Sequence, residues 1–172
     1  PRCMANEIVV YLTIIRRGFL IRGKGMDVKS YLSGFADGEG CFCVSINKSS
    51  RHKFGWEIRP SFSVSQNKNR ANILSIFKQY FECGTIRPDR SDKTLKYEVR
   101  SIPDLVDKIL PHFKQYPIVS SKNIDARKFF GICKMMAKKE HLTKEGLQKI
   151  LTIASDINSS GKKKFLRKEI KI

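Results

Sequence analysis

Two acidic residues, Asp37 and Glu39, flank Gly38 at the point where a run with helical spacing ends. The C-terminal end of a helix carries negative dipole charge, and its last carbonyl groups have no partner within the helix. A carboxylate beside such carbonyl oxygens, together with phosphate oxygens, provides the ligands that Mg²⁺ prefers. We therefore expect a carboxylate at this helix end, with a neighbouring backbone carbonyl, to bind a metal ion.

The helix that ends at these acids has a face without side chains. Gly34 and Gly38 are four residues apart and therefore lie on the same side of it. A second helix can approach this face at backbone distance, because glycine has no Cβ. The sequence thus predicts a close helix-to-helix contact here.

Hydrophobic spacing divides the rest of the chain into the elements that would position these residues. A period near 3.6 predicts helices, and strict alternation predicts strands with one buried face. The predicted helices are 28–36, 69–81, 105–113, 126–137 and 143–157, and the predicted strands are 41–47, 56–66, 85–89 and 95–101. The helix at 105–113 is expected to break near Pro111. This order predicts an α+β fold with an αββαββα core, one antiparallel sheet of two hairpins, and C-terminal helices.

The length of 172 residues suits one compact domain with short appendages. Position 1 is proline, and Met26 opens the segment that is typical of a domain start. We therefore divide the chain into an N-terminal extension of unknown role (1–25), one domain (26–160) and a basic C-terminal tail (161–172). The extension combines an apolar run with glycines, which suits a short strand or helix with a flexible tether.

Net charge is the most unusual property of the composition. The chain has 34 Lys and Arg residues against 16 Asp and Glu, which gives a formal charge of +18 at pH 7. Such a balance destabilises the compact state by self-repulsion unless a polyanion shares the surface, and nucleic acid is the expected partner. An anionic membrane is the rival, but the longest apolar stretch, 8–15, is far short of the ~20 residues that span a bilayer. We expect no membrane partner.

Cysteine usage indicates the compartment. The five cysteines include no C-x-x-C pattern, which favours reduced thiols in an intracellular protein. The sequence does not distinguish an organelle from an archaeal or bacterial cytoplasm.

Four segments carry a resemblance to a known family. Residues 32–40, LSGFADGEG, resemble the LAGLIDADG motif of homing endonucleases in its L-x-G-F-x-D-G-E-G form. The segments SVSQN at 63–67, YPIVSSK at 116–122 and KEHLTKEGL at 139–147 resemble further signatures of the same family. The motif occurs once, so the chain resembles the single-motif, homodimeric, intron-encoded type.

The resemblance implies a site-specific double-strand DNA endonuclease for intron homing, dependent on Mg²⁺, with a long near-palindromic target and 3′ overhangs. The motif position implies that Glu39, with the backbone of Gly38, is the metal ligand and that Asp37 stabilises the helix end or the surroundings of the metal. Two Glu39 carboxylates, one from each subunit, would hold metals for two-metal phosphodiester hydrolysis. Gln66 resembles the glutamine that positions water and metal, and Lys122 resembles a lysine that stabilises phosphate charge or polarises water. The implied dimer interface consists of Leu32, Gly34, Phe35 and Gly38.

The predicted sheet would bury an apolar face under the helices and present a polar face to double-stranded DNA. Arg and Lys can read guanine, Asn can read adenine, and Glu can accept a hydrogen bond from cytosine. Basic residues in loops and in the tail, at 162–164, would hold phosphates, which positions a protein without specifying sequence. The expected DNA-binding residues are Cys43, Ser45, Asn47, Lys48, Arg51, Lys53, Glu57, Arg59, Ser61, Ser63, Arg70, Arg87, Asp89, Arg90, Lys96, Glu98 and Arg100.

Two other functions stay open at this point. An RNA maturase that assists splicing would bind its host intron RNA and would not need the metal site. A non-catalytic DNA-binding regulator would use the same fold without cleavage. We expect His52, His112 and His141 to be surface or capping residues, because they are scattered and form no H-N-H-like pattern. This disfavours a ββα-metal nuclease.

Overall fold

The computed structural model of the chain describes residues 12–15, 18–21, 27–89 and 93–157. Within the predicted N-terminal extension, strands β1 (Leu12–Ile15) and β2 (Gly18–Ile21) pair antiparallel in a two-stranded sheet of their own. This is the strand alternative of the sequence prediction. The predicted tail at 161–172, the expected domain limits at 26 and 160, and Arg90 lie outside the described residues.

The main sheet has four antiparallel strands in the order β3-β4-β6-β5. They are β3 (Gly40–Lys48), β4 (Trp56–Asn67), β5 (Thr85–Pro88) and β6 (Thr94–Val99). Each hairpin consists of neighbours in sequence, and β4 pairs with β6 to join the two hairpins. The predicted sheet is therefore confirmed.

Helices cover one face of this sheet in the predicted αββαββα order. The helices are α1 (Val28–Glu39), α2 (Asn72–Phe81), α3 (Ile102–Asp104), α4 (Leu110–Gln115), α5 (Lys122–Ala137) and α6 (Lys144–Ser155). Short 3₁₀ turns at Lys68–Arg70 and Glu140–Leu142 precede α2 and α6. Across the part of the chain that the structure describes, no helix is long and apolar enough to cross a membrane.

The core lies between the sheet and these helices and is rich in phenylalanine. Phe42 and Phe62 stand opposite each other on β3 and β4, with ring centroids 5.1 Å apart. Phe113 from α4 and Phe129 from α5 contact Phe42 at 5.4 and 5.5 Å. The alternation of apolar residues along the strands produces this buried face, because successive side chains point to opposite sides of a strand.

Helix α1 is held at both ends by local interactions. The Asp27 carboxylate accepts hydrogen bonds from the backbone N–H groups of Lys29 (3.1 Å) and Ser30 (3.3 Å), which caps the N-terminus. At the other end the Gly40 N–H donates to the Ala36 carbonyl, and a Cβ at position 40 would overlap that oxygen. Glycine therefore allows β3 to begin directly where the helix ends.

The segment around Pro111 differs from the prediction of a broken helix. Helix α3 continues through a wide π turn, Leu105–Ile109, into α4, which contains Pro111. The Leu110 N–H donates to the Leu105 carbonyl five residues earlier. A proline ring normally clashes with the carbonyl four residues before it, and the wider turn reduces this conflict. The expected break was wrong, because the chain distorts the helix instead of ending it.

Two helix starts complete the comparison with the sequence. Helix α5 begins at Lys122, four residues before the predicted start. The prediction missed its first turn because three of residues 122–125 are polar and the fourth, Ile124, is exposed, so they carry no apolar period. Helix α6 follows Thr143, whose hydroxyl accepts a hydrogen bond from the Gly146 N–H at 3.1 Å. The predicted N-cap of the last helix is confirmed.

Candidate active site and DNA-facing surface

The glycine face of α1 is open in the single chain. Gly34 and Gly38 are both exposed, and a Cβ added to either would meet no heavy atom of the described part of the chain within 4 Å. Tyr31 lies on the same face and is 43% exposed, which is unusual for a large aromatic side chain. Phe35 is half-buried at the edge of this face, with its ring 6.1 Å from that of Phe77.

Leu32 does not belong to this face, contrary to its assignment to the interface. Its side chain is fully buried in the core of the same chain. Two residues along a helix turn the side chain through about 200°, so Leu32 and Gly34 point in nearly opposite directions. The leucine anchors α1 to the sheet, whereas the glycines face outward.

Glu39 is the last residue of α1 and is exposed. The sequence placed it just beyond the helix, but it shares the helix end with the backbone of Gly38. No group of three or more His, Cys, Asp or Glu side chains that could hold a metal ion occurs among residues 27–89 and 93–157. A single chain therefore offers one exposed carboxylate at this point, with backbone carbonyl oxygens beside it.

Lys122 reaches the same helix end from the first turn of α5. Its Nζ donates to the carbonyl oxygens of Ala36 (3.3 Å), Gly38 (3.2 Å) and Gly40 (2.9 Å), and also to that of Asp37. The carbonyls of Asp37 and Gly38 are among the groups that a helix C-terminus leaves without internal partners, whereas that of Ala36 also accepts from the Gly40 N–H. Their arrangement around one positive charge shows that the end of α1 is a cation-binding position. Lys122 and Gly38, which the sequence singled out separately, are therefore neighbours.

Asp37 is occupied by the loop that precedes Lys122. Its carboxylate accepts hydrogen bonds from the backbone N–H of Ser120 (3.0 Å) and from the Ser120 hydroxyl. The hydrogen bond from the Ser120 hydroxyl lowers the pKa of Asp37. The Ser120 hydroxyl also accepts from the Lys122 N–H at 3.2 Å. Asp37 thus ties the loop to the helix end, in agreement with the expectation that it has a supporting role.

Gln66 lies near the end of β4, two residues beyond Val64, which stands opposite Gly40. The register therefore places Gln66 at the end of the sheet that lies next to the C-terminal end of α1. By strand alternation it shares the helix-covered side with Val64. Its side-chain oxygen accepts a hydrogen bond from the Asn67 N–H at 2.8 Å.

The register of the sheet places the expected DNA-binding strand residues on one face. Cys43, Ser45 and Asn47 on β3 stand opposite Ser61, Arg59 and Glu57 on β4 in a continuous polar row. On the other half of the sheet, Lys96 pairs with Ser65 and Arg87, and Glu98 pairs with Ser63 and Thr85. We call the side of the sheet that carries these residues the outer face.

Glu98 is buried on this face, contrary to the prediction that it is exposed to DNA. Its carboxylate pairs with Arg87 Nε at 3.0 Å and with Arg100 Nη2 at 3.1 Å, and the residue is 8% exposed. Burial alone would raise the pKa of Glu98, but the hydrogen bonds from Arg87 and Arg100 outweigh it and the pKa is lowered. Glu98 therefore holds two arginines in place and is covered by them.

Ser63 is also buried, at 7% exposed, although its side chain is on the outer face. It lies on an interior strand, with Cys41 and Glu98 opposite it on the two neighbouring strands. The sequence predicted its face correctly and its exposure wrongly.

Two more ion pairs cross the outer face. Lys96 lies 2.6 Å from the Asp89 carboxylate, and Arg59 lies 2.9 Å from that of Glu57. Four basic side chains of the outer face thus pair with three acids, since Arg87 and Arg100 share Glu98, and these seven residues leave a net charge of +1. The positive electrostatic field of this face is therefore much weaker than the number of its basic residues suggests.

Basic residues without such acids lie in loops. Arg51 and Lys53 are exposed in the loop between β3 and β4, and Lys48 is exposed at the start of that loop. The Lys48 ammonium lies 5.9 Å from the centroid of the Trp56 ring. Arg70, in the 3₁₀ turn before α2, is exposed as well. These positions suit contacts to phosphates.

Comparison with known proteins agrees with this geometry. A family model described as LAGLIDADG endonuclease matches residues 32–133. The chain belongs to the LAGLIDADG endonuclease family. The match begins at Leu32 in the motif and ends in α5, so it contains the motif helix, the four-stranded sheet and Lys122. The signature at 139–147 lies beyond it.

Three similar proteins illustrate the range of lengths. The probable intron-encoded endonuclease 2 of Neurospora crassa is 33% identical over 130 residues, which cover 75% of this chain and 29% of that protein. The homing endonuclease I-TnaI has 36% identity and a TM-score of 0.73, over 79% of this chain and 92% of that one. I-LtrWI, solved bound to target DNA, has 34% identity and a TM-score of 0.77, over 83% and 48%. The chain thus spans less than a third of the Neurospora relative and about half of I-LtrWI.

His112 of this LAGLIDADG chain is neither a surface nor a capping residue, so that expectation was wrong. It is 5% exposed, with Nε2 3.0 Å from the Ser33 hydroxyl and Nδ1 3.0 Å from the Tyr80 hydroxyl. Ser33 donates its own proton to the Tyr116 carbonyl at 2.6 Å, so Nε2 carries the histidine proton and Nδ1 accepts from Tyr80. Burial lowers the pKa of His112 to about 4.

Sequence reasoning missed two residues near the motif helix. Ser120 links Asp37 to the loop before Lys122, and Ser33 links the buried side of α1 to His112. Ser120 lies inside the segment that resembles the family signature at 116–122, which was its only signal. Ser33 occupies the variable second position of the motif, where nothing in the spacing indicates a partner 79 residues away.

Proposed function

We propose that the chain is one half of a site-specific double-strand DNA endonuclease for intron homing, acting inside the cell that carries the intron. The observation that carries this proposal is the open glycine face of α1 that ends at the exposed Glu39. None of the described residues covers Gly34 or Gly38 within the distance of a Cβ contact. Membership of the LAGLIDADG endonuclease family supports the same function.

The second half would be another copy of this chain. Two α1 helices packed through Gly34 and Gly38, with Tyr31 and Phe35 at the edges, would bring two Glu39 side chains together. A symmetric homodimer recognises a target whose halves are related by the same two-fold symmetry, hence a long near-palindromic site. A second LAGLIDADG unit within one longer chain is the alternative, and I-LtrWI, which this chain covers to 48%, has the length for it.

Glu39 and the Gly38 carbonyl fit a divalent cation. The carboxylate is exposed, and the neighbouring carbonyls already converge on a positive charge, the ammonium of Lys122. The solved LAGLIDADG relative I-SmaMI was crystallised on its uncleaved DNA target in the presence of calcium ions, which supports a divalent metal in this family. We infer Mg²⁺, which when bound supplies a Lewis acid and an activated water for phosphodiester hydrolysis.

The side chains of this protein would then share the remaining tasks. Glu39 holds the metal at the helix end, and Asp37 keeps the adjoining loop in position through Ser120. Gln66, at the same end of the sheet, orients water with its amide. Lys122 supplies positive charge for the phosphate. We infer cleavage of both strands with short 3′ overhangs, as the resemblance implies.

The outer face of the sheet would read the DNA bases. Glu98 pre-positions Arg87 and Arg100, which leaves other N–H groups of each guanidinium free to donate to guanine. Arg51, Lys53 and the other loop residues would hold phosphates. The I-LtrWI structure bound to target DNA supports double-stranded DNA as the partner of this fold.

The test uses Glu39→Gln on a target recovered by selection from a randomised duplex library. We expect this variant to lose cleavage of both strands in Mg²⁺ while its affinity for the target stays within about threefold, because only the metal carboxylate is removed. Glu82→Gln, which changes an exposed acid in the turn after α2, should cut normally. Full cleavage by Glu39→Gln would contradict the proposed function.

A further inference from the structure

One ammonium group occupies the helix end that we assign to the metal. Lys122 Nζ donates to four carbonyl oxygens of residues 36, 37, 38 and 40, including that of Gly38 at 3.2 Å. A cation at a helix C-terminus interacts favourably with the negative end of the dipole and with the unpaired carbonyls. Lys122 is therefore the resident cation of this position.

The backbone of Lys122 is anchored independently of its side chain. Its N–H donates to the Ser120 hydroxyl at 3.2 Å, and the Ser120 N–H donates to the Asp37 carboxylate at 3.0 Å. The loop is thus fixed to α1 by bonds that do not involve Nζ. A lysine side chain has a flexible four-carbon stem, so its charge can move while the loop stays in place.

We propose that Lys122 is a stand-in cation, which organises the carbonyls of the metal-free helix end and competes with the divalent metal for the Gly38 carbonyl. The inference rests on the proposed assignment of Glu39 and Gly38 as metal ligands. Two positive charges that share one oxygen repel each other strongly at this distance. Metal binding and release of the Lys122 ammonium are therefore a single event. The freed ammonium is available to the phosphate only when the metal is present.

Binding of Mn²⁺ to the full chain without DNA, followed by the electron paramagnetic resonance of free Mn²⁺, tests this competition. Lys122→Met keeps the length of the side chain and removes its charge, and we expect it to bind Mn²⁺ about tenfold more tightly or better. Lys128→Met is the matched control on the same helix, since its ammonium donates to a single distant carbonyl, that of Asp156 at 3.4 Å. This control should bind Mn²⁺ within about twofold of the unaltered chain.

Glu39→Gln in the same assay separates this inference from the proposed function. If Glu39→Gln removes Mn²⁺ binding but Lys122→Met leaves it unchanged or weakens it, the competition is overturned and the metal site stands. If Mn²⁺ binding does not depend on Glu39, the metal assignment itself is wrong.

A second measurement follows the unaltered protein and uses one variant only to assign the signal. An ammonium held by four acceptors exchanges its protons slowly, so Lys122 should give a resolved ¹⁵N-lysine NH₃⁺ signal that is missing in Lys122→Arg. Addition of Mg²⁺ should move this signal to the position of exposed lysines. A signal that stays protected at saturating Mg²⁺, or one that is already unprotected without metal, would overturn the proposal.

Discussion

At the scale of single residues, His112 is a group whose protonation the fold opposes. Its ring is buried and hydrogen-bonded to Ser33 and Tyr80, and burial lowers its pKa from 6.5 to about 4. Above pH 6.5 the folded and unfolded chains both hold the imidazole neutral. Between pH 6.5 and 4 the unfolded chain binds the proton more readily, so stability falls as the pH falls through this window.

This difference predicts a measurable pH dependence. The free energy of unfolding should fall by roughly 3 kcal/mol between pH 7 and pH 4 because of this group alone. Urea unfolding at closely spaced pH values measures this change. The window from pH 6.5 to 4.5 lies above the pH range in which Asp37 and Glu98, whose pKa values are lowered, change the stability. His112→Gln should remove most of the slope in this range and lower stability at pH 7, with a remainder from His141, whose pKa burial also lowers. The exposed-loop change His52→Gln should leave most of the slope intact. An unchanged slope in His112→Gln would refute the assignment.

Sequence patterns predicted which face a residue occupies better than how deeply it is buried. Strand alternation placed Ser63 and Glu98 on the outer face correctly, because alternation is a local property of the backbone. Their burial depends on Cys41, Arg87 and Arg100, which come from neighbouring strands or lie beyond a strand end. Such cross-strand contacts are not encoded in the spacing of one segment.

At the scale of elements, a substitution in the motif helix α1 should affect the stability of the single chain and its dimerisation in opposite directions. Gly34 and Gly131 are both helical glycines whose added Cβ would meet nothing within 4 Å among the residues that the structure describes. Alanine at either position should therefore stabilise the isolated fold by roughly 0.5–1 kcal/mol, since glycine is costly within a helix. Only Gly34 lies on the face that we assign to the second subunit.

The two substitutions should consequently diverge in their effect on dimerisation. Analytical ultracentrifugation of Gly34→Ala should show a weakened or absent dimer, because the methyl group prevents backbone approach of the two α1 helices. Gly131→Ala, on α5, should dimerise like the unaltered chain. Thermal unfolding of both confirms that each is folded. Equal dimer affinity in all three proteins would show that the subunits do not meet at this face.

Helix ends were the least predictable feature of the elements. The start of α6 was correct because Thr143 is a cap whose mechanism is local. The helix through Pro111 continues, since the π turn at Leu105–Ile109 changes the geometry where the proline would clash. The pattern at 126–137 missed the polar first turn of α5, which is stabilised by its position over the end of α1. Tertiary contacts decide these boundaries.

At the scale of the whole molecule, the αββαββα order followed from the sequence because each hairpin and each amphipathic helix is signalled within its own segment. The relation of Lys122 to Gly38 depends on how α5 lies against α1, so their contact appears only in the folded chain. Likewise Ser33 meets His112 across 79 residues. Local patterns therefore determined the architecture, whereas the connections within the site required the three-dimensional structure.

The distribution of charge across the molecule separates base reading from phosphate binding. On the outer face, Arg59, Arg87, Lys96 and Arg100 are each paired with an acid, so this surface contributes little to the net charge of +18. The loop between β3 and β4 carries exposed basic residues in a row with no acid among positions 48–55. Long-range attraction of a duplex should therefore come mainly from loops and helices.

Salt dependence of DNA binding tests this division. Each lost phosphate contact should reduce the slope of log affinity against log salt concentration by about 0.9. Arg51→Gln and Lys53→Met should each lower the slope by this amount, equally on target and non-target duplexes, because phosphates carry no sequence information. Lys149→Met, which removes an exposed charge from α6, should leave the slope unchanged. Fluorescence anisotropy between low and physiological salt measures all three variants. Equal reductions in all of them would mean that net charge alone, and not the position of the loop on the duplex, determines affinity.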